Sequence, residues 1–378
     1  MTPTILFWLA AFLTLYAYLG YPALLSVLGK IMRRPVATTS ADHTPGVTMI
    51  IPVHNEERVI DEKLRNLDRL RYPRNQLVVL IVSDGSTDQT RQHVLAYQGD
   101  LQIRYLELPQ RQGKAAALNL GLQHTASEIV VFSDASIMLD AEALQHVVKP
   151  FQDVTIGCVS GEDHIPGGGG EGLYGRYELF LRNLESRISS IAGASGSFYA
   201  MRTRLCKPFL PGMAPDFLSV LVTVEHGYRA ITEPRAHGNM ASTKSTRGEF
   251  TRKVRTLIRG MTALWHMRQL LNPFRSGFFS VVLWSHKLMR WLVPFFMALA
   301  FIANMYLVDQ VFYLSTLILQ IIFYSLAVLG MADLPMSRQN ALVKVPLYFT
   351  VVNAAIFLAW VRFLAGERQE IWAPTHRQ

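Results

Sequence analysis

Hydrophobic residues follow two different regimes along this chain. From Met1 to Gly29 no side chain is ionisable, and Lys30, Arg33 and Arg34 follow directly. An apolar stretch of that length spans a bilayer, and cations just beyond it mark its cytoplasmic end. A cleaved signal peptide carries its positive charge ahead of the apolar run, the reverse of the order here, so an uncleaved anchor is expected. Trp291 to Val308, Gln310 to Ala332 and Val345 to Val361 are further uncharged runs, parted by Asp309 and bracketed at the end by Lys344 and Arg362. They predict three C-terminal spans.

The middle of the chain, from about Arg34 to Pro273, alternates short apolar runs with polar stretches of helical period. Val47 to Pro52, Leu77 to Ser83 and Ile129 to Ser133 predict buried strands, and Glu57 to Leu70 predicts a helix between the first two. Strand, helix, strand, helix implies a mostly parallel sheet with crossovers. After the second strand, Ser83-Asp84-Gly85-Ser86-Thr87-Asp88 forms a turn in which Thr87 or Asp88 is placed to cap the next helix. Val254 to Leu271 places Val254, Leu257, Ile258, Met261, Leu264 and Trp265 on one face and Arg255, Arg259 and Arg268 elsewhere. That is a basic amphipathic helix suited to the lipid interface, with a core-packed helix as the alternative. Phe278 to Trp284 reads as a second interfacial piece, because His286, Lys287 and Arg290 interrupt it before the span.

The organisation expected is an anchor over residues 1–30, a cytoplasmic α/β domain over 31–250, interfacial helices over 251–290, spans over 291–365 and a tail over 366–378. The loop with Arg338 and Lys344 joins the domain on the cytoplasmic side of an inner membrane. Counting spans puts the tail outside, whereas Arg362, Arg368 and Arg377 against Glu367 and Glu370 favour the inside; the two signals oppose each other. Trp360 and Trp372 are placed as interfacial anchors.

Composition agrees with lipid contact: half of the 378 residues are hydrophobic and 17% are charged, with a mean hydropathy of +0.19. The net charge of +9 suits anionic head groups, phosphate-bearing substrates or nucleic acid. The cations cluster near lipid and no nucleic-acid-binding motif accompanies them, so nucleic acid is not an expected partner. Cys158 and Cys206 are the only two cysteines; they make neither a disulfide framework nor a metal-ligand spacing, and fit a reducing compartment.

Ligands of parallel sheets lie at the carboxyl ends of the strands, which gives Asn55, Glu56, Asp84 and Asp134 a functional reading. A carboxylate there binds a ribose or base edge, or ligates a divalent cation on a diphosphate. Lys114 stands just before the helical stretch Ala115 to Leu122, where the helix field disfavours a cation and a bound anion would offset it. Other features read more plainly. The Gly167 to Gly170 run lacks the Lys-Ser/Thr of a phosphate-binding loop and is a plain loop. Leu173 to Ile191 reads as a surface helix with Arg176, Glu178, Arg182, Glu185 and Arg187 outward. His93, His124 and His146 are too scattered for a metal site.

The ordered series Pro52-Val53-His54-Asn55-Glu56, Ser83-Asp84-Gly85-Ser86-Thr87-Asp88, Gly113-Lys114-Ala115-Ala116-Ala117-Leu118-Asn119 and Phe132-Ser133-Asp134-Ala135-Ser136 resembles the membrane-bound family-2 glycosyltransferases, which include the cellulose, chitin and hyaluronan synthases and many bacterial exopolysaccharide and glycolipid transferases. The likeness continues through Gly193 to Ser197, Pro215-Asp216, His226 to Arg229 and Glu249 to Thr256. It implies a GT-A type fold and an inverting transferase that takes sugar from a nucleotide donor, usually a UDP-sugar, with Mg²⁺ or Mn²⁺, and passes it to a glycan or lipid-linked acceptor. By the same resemblance Pro52, Glu56, Asp84, Lys114 and Asp134 line the donor pocket, Asp134 binds the metal, Asp216 is the base, and Arg252 and Arg255 take the Gln and Arg places of the Gln-x-x-Arg-Trp signature.

Inversion needs a base on the acceptor hydroxyl and cations on the departing diphosphate, tasks a carboxylate and an arginine cluster can do. An aspartate before a helix is otherwise an N-cap. The chain departs from the family pattern at Ser83, Ser136 and Pro215, where acidic residues are usual, and at Thr256, where the signature has an aromatic that would stack on a glycan. Transfer of one or a few sugars is therefore expected. The rival readings are a processive synthase that also secretes its product, for which four spans are few and a partner chain would be needed for export, and a catalytically silent membrane scaffold.

Overall fold

One sheet organises the domain. Its strands are β1 (Val47–Val53), β2 (Leu77–Ser83), β3 (Gln102–Glu107), β4 (Ile129–Ser133), β5 (Ile137–Leu139), β6 (Ile156–His164), β7 (Phe198–Arg202) and β8 (Arg229–Met240), in the spatial order 3-2-1-4-7-6-8-5. The computed structural model describes residues 2–37, 43–164, 169–240, 246–331 and 341–369. Arg338, Glu370, Trp372, Arg377 and the first half of the glycine run lie outside those residues. Strands β3, β2, β1 and β4 are mutually parallel, β7 runs against both β4 and β6, β8 is parallel to β6, and β5 runs against β8.

The helices are α1 (Pro3–Leu15), α2 (Tyr21–Ile31), α3 (Ile60–Asp68), α4 (Thr90–Leu95), α5 (Lys114–Gln123), α6 (Ala143–Val148) and α7 (Gly169–Ile188). They continue as α8 (Pro215–Glu225), α9 (Thr246–His266), α10 (Pro273–Ser276), α11 (Phe278–Val282), α12 (Arg290–Met305), α13 (Val311–Met331) and α14 (Ala341–Leu364). Every residue of β1, β4 and β7 is buried. That is why these strands read as unbroken apolar runs rather than alternating ones: helices cover both faces. Ile50, Leu80, Phe132 and Tyr199 face α5, α8 and α9, while Met49, Ile51, Val79 and Ile81 face α3 and α6. Each such side chain contributes roughly 1.5–3 kcal/mol of burial free energy.

Four helical segments have the length and composition to cross a membrane: Pro3–Ile31, Phe278–Met305, Val311–Met331 and Leu342–Leu364. The first is α1 and α2 joined by a π-helical turn over Tyr16–Gly20. The indole of Trp8 donates to the Tyr313 hydroxyl (3.1 Å), and Phe7 meets the Tyr313 ring edge-on, so the N-terminal segment packs against the C-terminal ones.

Three expectations are revised at the junction of domain and spans. Phe278 to Trp284 is not separate from the following span; a π-helical stretch, Leu283–Met289, carries the helix through His286 and Lys287. A charge-free window misses this because His286 turns inward to Glu178 and Glu185 while Lys287 lies over the Phe217 ring. The apolar face of α9 is covered by protein rather than lipid: Val254, Ile258, Met261 and Leu264 are buried against α8, α11 and α14, whereas Trp265 is 61% exposed. Glu178 and Glu185 of α7 also do not point outward. Glu185 is fully buried; it accepts from Tyr21 Oη (2.8 Å) and the Ala192 amide (2.9 Å) and pairs with His286 Nδ1 (2.6 Å). Glu178 pairs with His286 Nε2 (2.9 Å) and with Arg290. The helical period of α7 located an apolar stripe, but a paired carboxylate can be buried as readily as a leucine. The Trp360 indole donates to the Trp291 carbonyl (2.8 Å).

Candidate active site

The carboxyl ends of β1, β2 and β4 converge, and short hydrogen bonds tie them together. After β1, Asn55 takes a left-handed conformation (φ 55°) and its Oδ1 accepts from the Thr87 amide (2.8 Å). The amides of Glu56 and Glu57 donate to Thr90 Oγ1 (2.9 Å) and Asp88 Oδ2 (3.1 Å). Asp88 also accepts from the Thr90 amide (3.0 Å), but the N-cap position of α4 is held by Gln89 and by neither Thr87 nor Asp88. Asp84 is 1% exposed. Its carboxylate accepts from the amides of Gln112 (2.6 Å) and Gly113 (2.9 Å), directly ahead of α5. The structure thus places Asp84 under the Lys114 loop as its brace, and Gly113 (φ 96°) gives the turn its backbone.

Pro52, Lys114, Asp134, Gly196 and Asp216 line one narrow cleft at these strand ends. Lys114 Nζ lies 2.5 Å from Asp134 Oδ1 and 3.2 Å from the Gly196 carbonyl, so the anion that offsets this helix-start cation within the chain is Asp134. Burial, then the charges of Asp134 and Asp88, raise the Glu56 carboxyl to about 7. Glu56 does not line the cleft, though the charge of Asp134, which Lys114 already pairs, reaches it. A divalent cation on Asp134 would offset both carboxylates, although among the described residues no group of three or more His, Cys, Asp or Glu side chains gathers to hold one.

The turn that carries Asp134 is held from below by residues without a recognised motif. Lys63 of α3 is fully buried and donates to Ser133 Oγ (2.9 Å) and the Ile137 carbonyl (2.7 Å). Burial brings its ammonium down to about 7, against the opposing pull of Asp134. One turn on, Asn66 donates to the Leu139 carbonyl (2.8 Å) and accepts from the Leu139 amide (2.9 Å). In sequence both sit on the polar side of an amphipathic helix, and no local pattern marks them as buried.

Asp216 stands in the first turn of α8 but does not cap it; Ala214 occupies the N-cap position, and among the described residues the Asp216 carboxylate makes no hydrogen bond. It is partly exposed and faces Gly196, where an added Cβ would lie 3.7 Å from its carboxyl carbon. Asp216 also lines a second, larger space of about 310 Å³ with Tyr174, Arg252, Lys253, Thr256 and Lys287. It therefore connects the cleft of Asp134 and Lys114 to a cation-rich chamber bordered by the spans. Arg252 lines that chamber. Arg255 lies half-buried one turn further along α9, its guanidinium lowered by burial and by Arg252, and lines neither space. Arg259, which sequence reading left as a polar-face residue, grips the Met213 carbonyl (2.9 Å) ahead of α8. Burial lowers its guanidinium, and the charges of Asp216 and Asp134 oppose that.

Residues 48–207 match the family described as glycosyl transferase family 2. The chain is similar to the poly-β-1,6-N-acetyl-D-glucosamine synthase of Staphylococcus aureus (strain COL), with 28% identity over 127 residues, 33% of this chain and 30% of that one. It is also similar to the Staphylococcus epidermidis protein of the same name, with 24% identity over 156 residues, 41% and 37% of the two chains. It thus spans about a third of the length of these curated relatives. Among solved structures, the mannosyltransferase PcManGT from Pyrobaculum calidifontis, in complex with GDP-Man and Mn²⁺, superposes with a TM-score of 0.76 at 25% identity, over 96% of this chain and 100% of that one. Residues 48–207 thus carry the match to glycosyl transferase family 2 on a GT-A fold, an eight-stranded sheet with four membrane-length helices beside it.

Proposed function

We propose that the domain transfers a sugar, with inversion, from a nucleoside-diphosphate donor in the Asp134 cleft to a glycan or lipid-linked acceptor that enters from the membrane side. The observation that carries this reading is that Asp216 borders both the cleft of Pro52, Lys114 and Asp134 and the chamber of Arg252 and Lys253. The acceptor oxygen attacks the anomeric carbon while the Asp216 carboxylate takes its proton, and the carbon–oxygen bond to the diphosphate breaks with its electron pair on the leaving nucleotide. Lys114, Arg252 and Arg259 supply positive charge as the diphosphate departs. Asp134 would hold Mg²⁺ or Mn²⁺, which neutralises the phosphates of the donor. Mn²⁺ in PcManGT supports a divalent cation in this role. Arg255 acts through Arg252 and the start of α9.

The resemblance favours a UDP-sugar donor, whereas PcManGT was solved with GDP-Man; both belong in the test. Thr256 lines the chamber at the signature's aromatic place, which supports transfer of one or a few sugars over long-chain synthesis. The cations after the first span support a multi-pass inner-membrane enzyme with its domain in the cytoplasm.

Purified full chain is to be given a panel of UDP- and GDP-sugars with Mn²⁺ and a membrane-lipid extract, and products read by mass spectrometry. Asp216→Asn is expected to bind donor normally and to lose transfer by roughly 10²- to 10⁴-fold, the usual weight of a general base. No turnover by either protein would favour a silent scaffold, equal turnover by the two would remove Asp216 as the base, and lost donor binding would contradict its place on the acceptor side.

A further inference from the structure

The segment Ser195-Gly196-Ser197 runs between Asp216 and the groups at the strand ends, and it meets both. The Ser197 carbonyl accepts from the Asp134 amide (2.9 Å), and the Gly196 carbonyl accepts from Lys114 Nζ (3.2 Å). Gly196 turns its open side to Asp216, whose carboxyl oxygens would lie 3.8 and 3.9 Å from an added Cβ. The position of this segment therefore sets the gap between Asp216 and the Asp134–Lys114 pair. A glycine has no side chain with which to hold itself there, so the hold comes from its neighbours.

Ser195 supplies it. The residue is 1% exposed, its hydroxyl oxygen accepts from the amides of Ser197 and Phe198 (3.1 Å each), and its O–H donates to Asp163 Oδ1 (2.5 Å). A hydroxyl offers one donor and two acceptor sites, and all three are in use. The Ser195 amide donates to Ser160 Oγ (2.8 Å), which also accepts from Arg182 Nη1 (3.2 Å). Asp163 belongs to β6 and pairs in register with Gly238 of β8, so the carboxylate that receives the Ser195 hydroxyl is fixed in the sheet. Neither Ser195 nor Asp163 lines the cleft or the chamber.

The strand-end groups have braces of their own: Asp84 under the Lys114 loop and Lys63 under the Asp134 turn. Loosening Ser195 leaves both braces in place and frees the edge of the segment that faces Asp216.

We propose that Asp163 and Ser195 are positioning residues for transfer: through the amides of Ser197 and Phe198 they hold Gly196 at the spacing that lets Asp216 reach the acceptor oxygen beside a bound donor. This rests on Asp216 being the base and adds two residues to that reading. A misplacement on the order of 1 Å at such a site costs about 10²-fold in rate.

The test uses the full chain in dodecyl maltoside with Mn²⁺, the UDP- and GDP-sugar panel and the membrane-lipid extract, and measures donor affinity by calorimetry beside turnover at saturating donor. Asp163→Ala is expected to lower turnover roughly 10- to 100-fold while donor affinity stays within about twofold of the parent, less than the weight of one hydrogen bond. Retained donor binding also reports that the variant is folded. Asp163→Asn, whose amide oxygen still accepts the Ser195 O–H, should recover most of the turnover. Ser195→Ala should match Asp163→Ala, and the double variant should lose little more than either alone, because the two residues act as one unit. Turnover of Asp163→Ala within about twofold of the parent overturns the proposal, and so does an Asp163→Asn protein as slow as Asp163→Ala. Donor binding lost in step with turnover also overturns it, because the pair would then hold the fold or the donor and not the side facing Asp216. A parent chain that binds no donor, or whose turnover Asp216→Asn equals, would instead strike the glycosyltransfer reading beneath it.

Discussion

Asp84→Asn separates a brace from a donor ligand. In the structure this carboxylate is buried and receives the amides of Gln112 and Gly113 at 2.6 and 2.9 Å. It stands at the positive end of α5, where an anion gains from the helix field as well. Each hydrogen bond to a charged group is worth about 1.5–3 kcal/mol, and the helix-end interaction about 0.3–1 kcal/mol more. Asparagine keeps one carbonyl acceptor but loses the charge, and turning its NH₂ toward either amide leaves a buried donor unpaired. A loss of about 3 kcal/mol follows for the domain. At roughly 2–4 °C per kcal/mol for a domain of this size, the melting temperature should fall by about 6–12 °C. Intrinsic-fluorescence melting of the full chain in detergent reads that shift, and donor titration at a temperature where both proteins are folded reads binding. The brace predicts a clear drop in Tm with the donor affinity following the order of the Lys114 loop. An unchanged Tm together with lost donor binding would refute the argument and make Asp84 a direct ligand, as the family resemblance implies.

Asp134→Ala should remove the enhancement of donor binding by Mn²⁺ while leaving the metal-free affinity comparatively intact; calorimetry with and without metal that shows the same enhancement would contradict the metal assignment. Glu56, raised to about 7 by burial and by Asp134 and Asp88, holds a proton in the folded state that the unfolded chain releases at ordinary carboxylate pH. Folding stability without metal should therefore fall as pH rises from about 4.5 to about 7, and Glu56→Gln should flatten that slope. Melting temperatures across this range that run parallel in the two proteins would count against the effect of Asp134 on Glu56.

The strands, the first span and most of the strand-end motif could be read from the sequence because each is a local signal. An unbroken apolar run such as Leu77 to Val82 can only be a buried strand or a span, and its length decides. The placement of Asp134, Lys114 and Asp216 around one cleft followed from the order of motifs. What escaped was whatever depends on a distant partner. Lys63 looks like any polar-face lysine until Ser133 and Ile137 arrive above it. Glu178, Glu185, His286 and Arg290 each read as a reason to end an apolar segment, yet together they neutralise one another and are buried. The same holds for α9, whose apolar stripe was visible while the protein surface that covers it was not. Arg259 was assigned to the polar face, and only the fold brings it near Asp216.

The buried network across α2, α7 and α12 has a consequence for handling the protein. Tyr21, Glu185, His286, Glu178 and Arg290 join α2 of the first membrane-length segment, α7 of the sheet-bearing domain and the helical segment Phe278–Met305 in one continuous chain of bonds. Cutting away the apolar segments to obtain a water-soluble enzyme would strand two carboxylates in the interior without counter-charges. The sheet-bearing half should therefore resist expression by itself, and its angle to the membrane-length helices is held by the same bonds that let it fold.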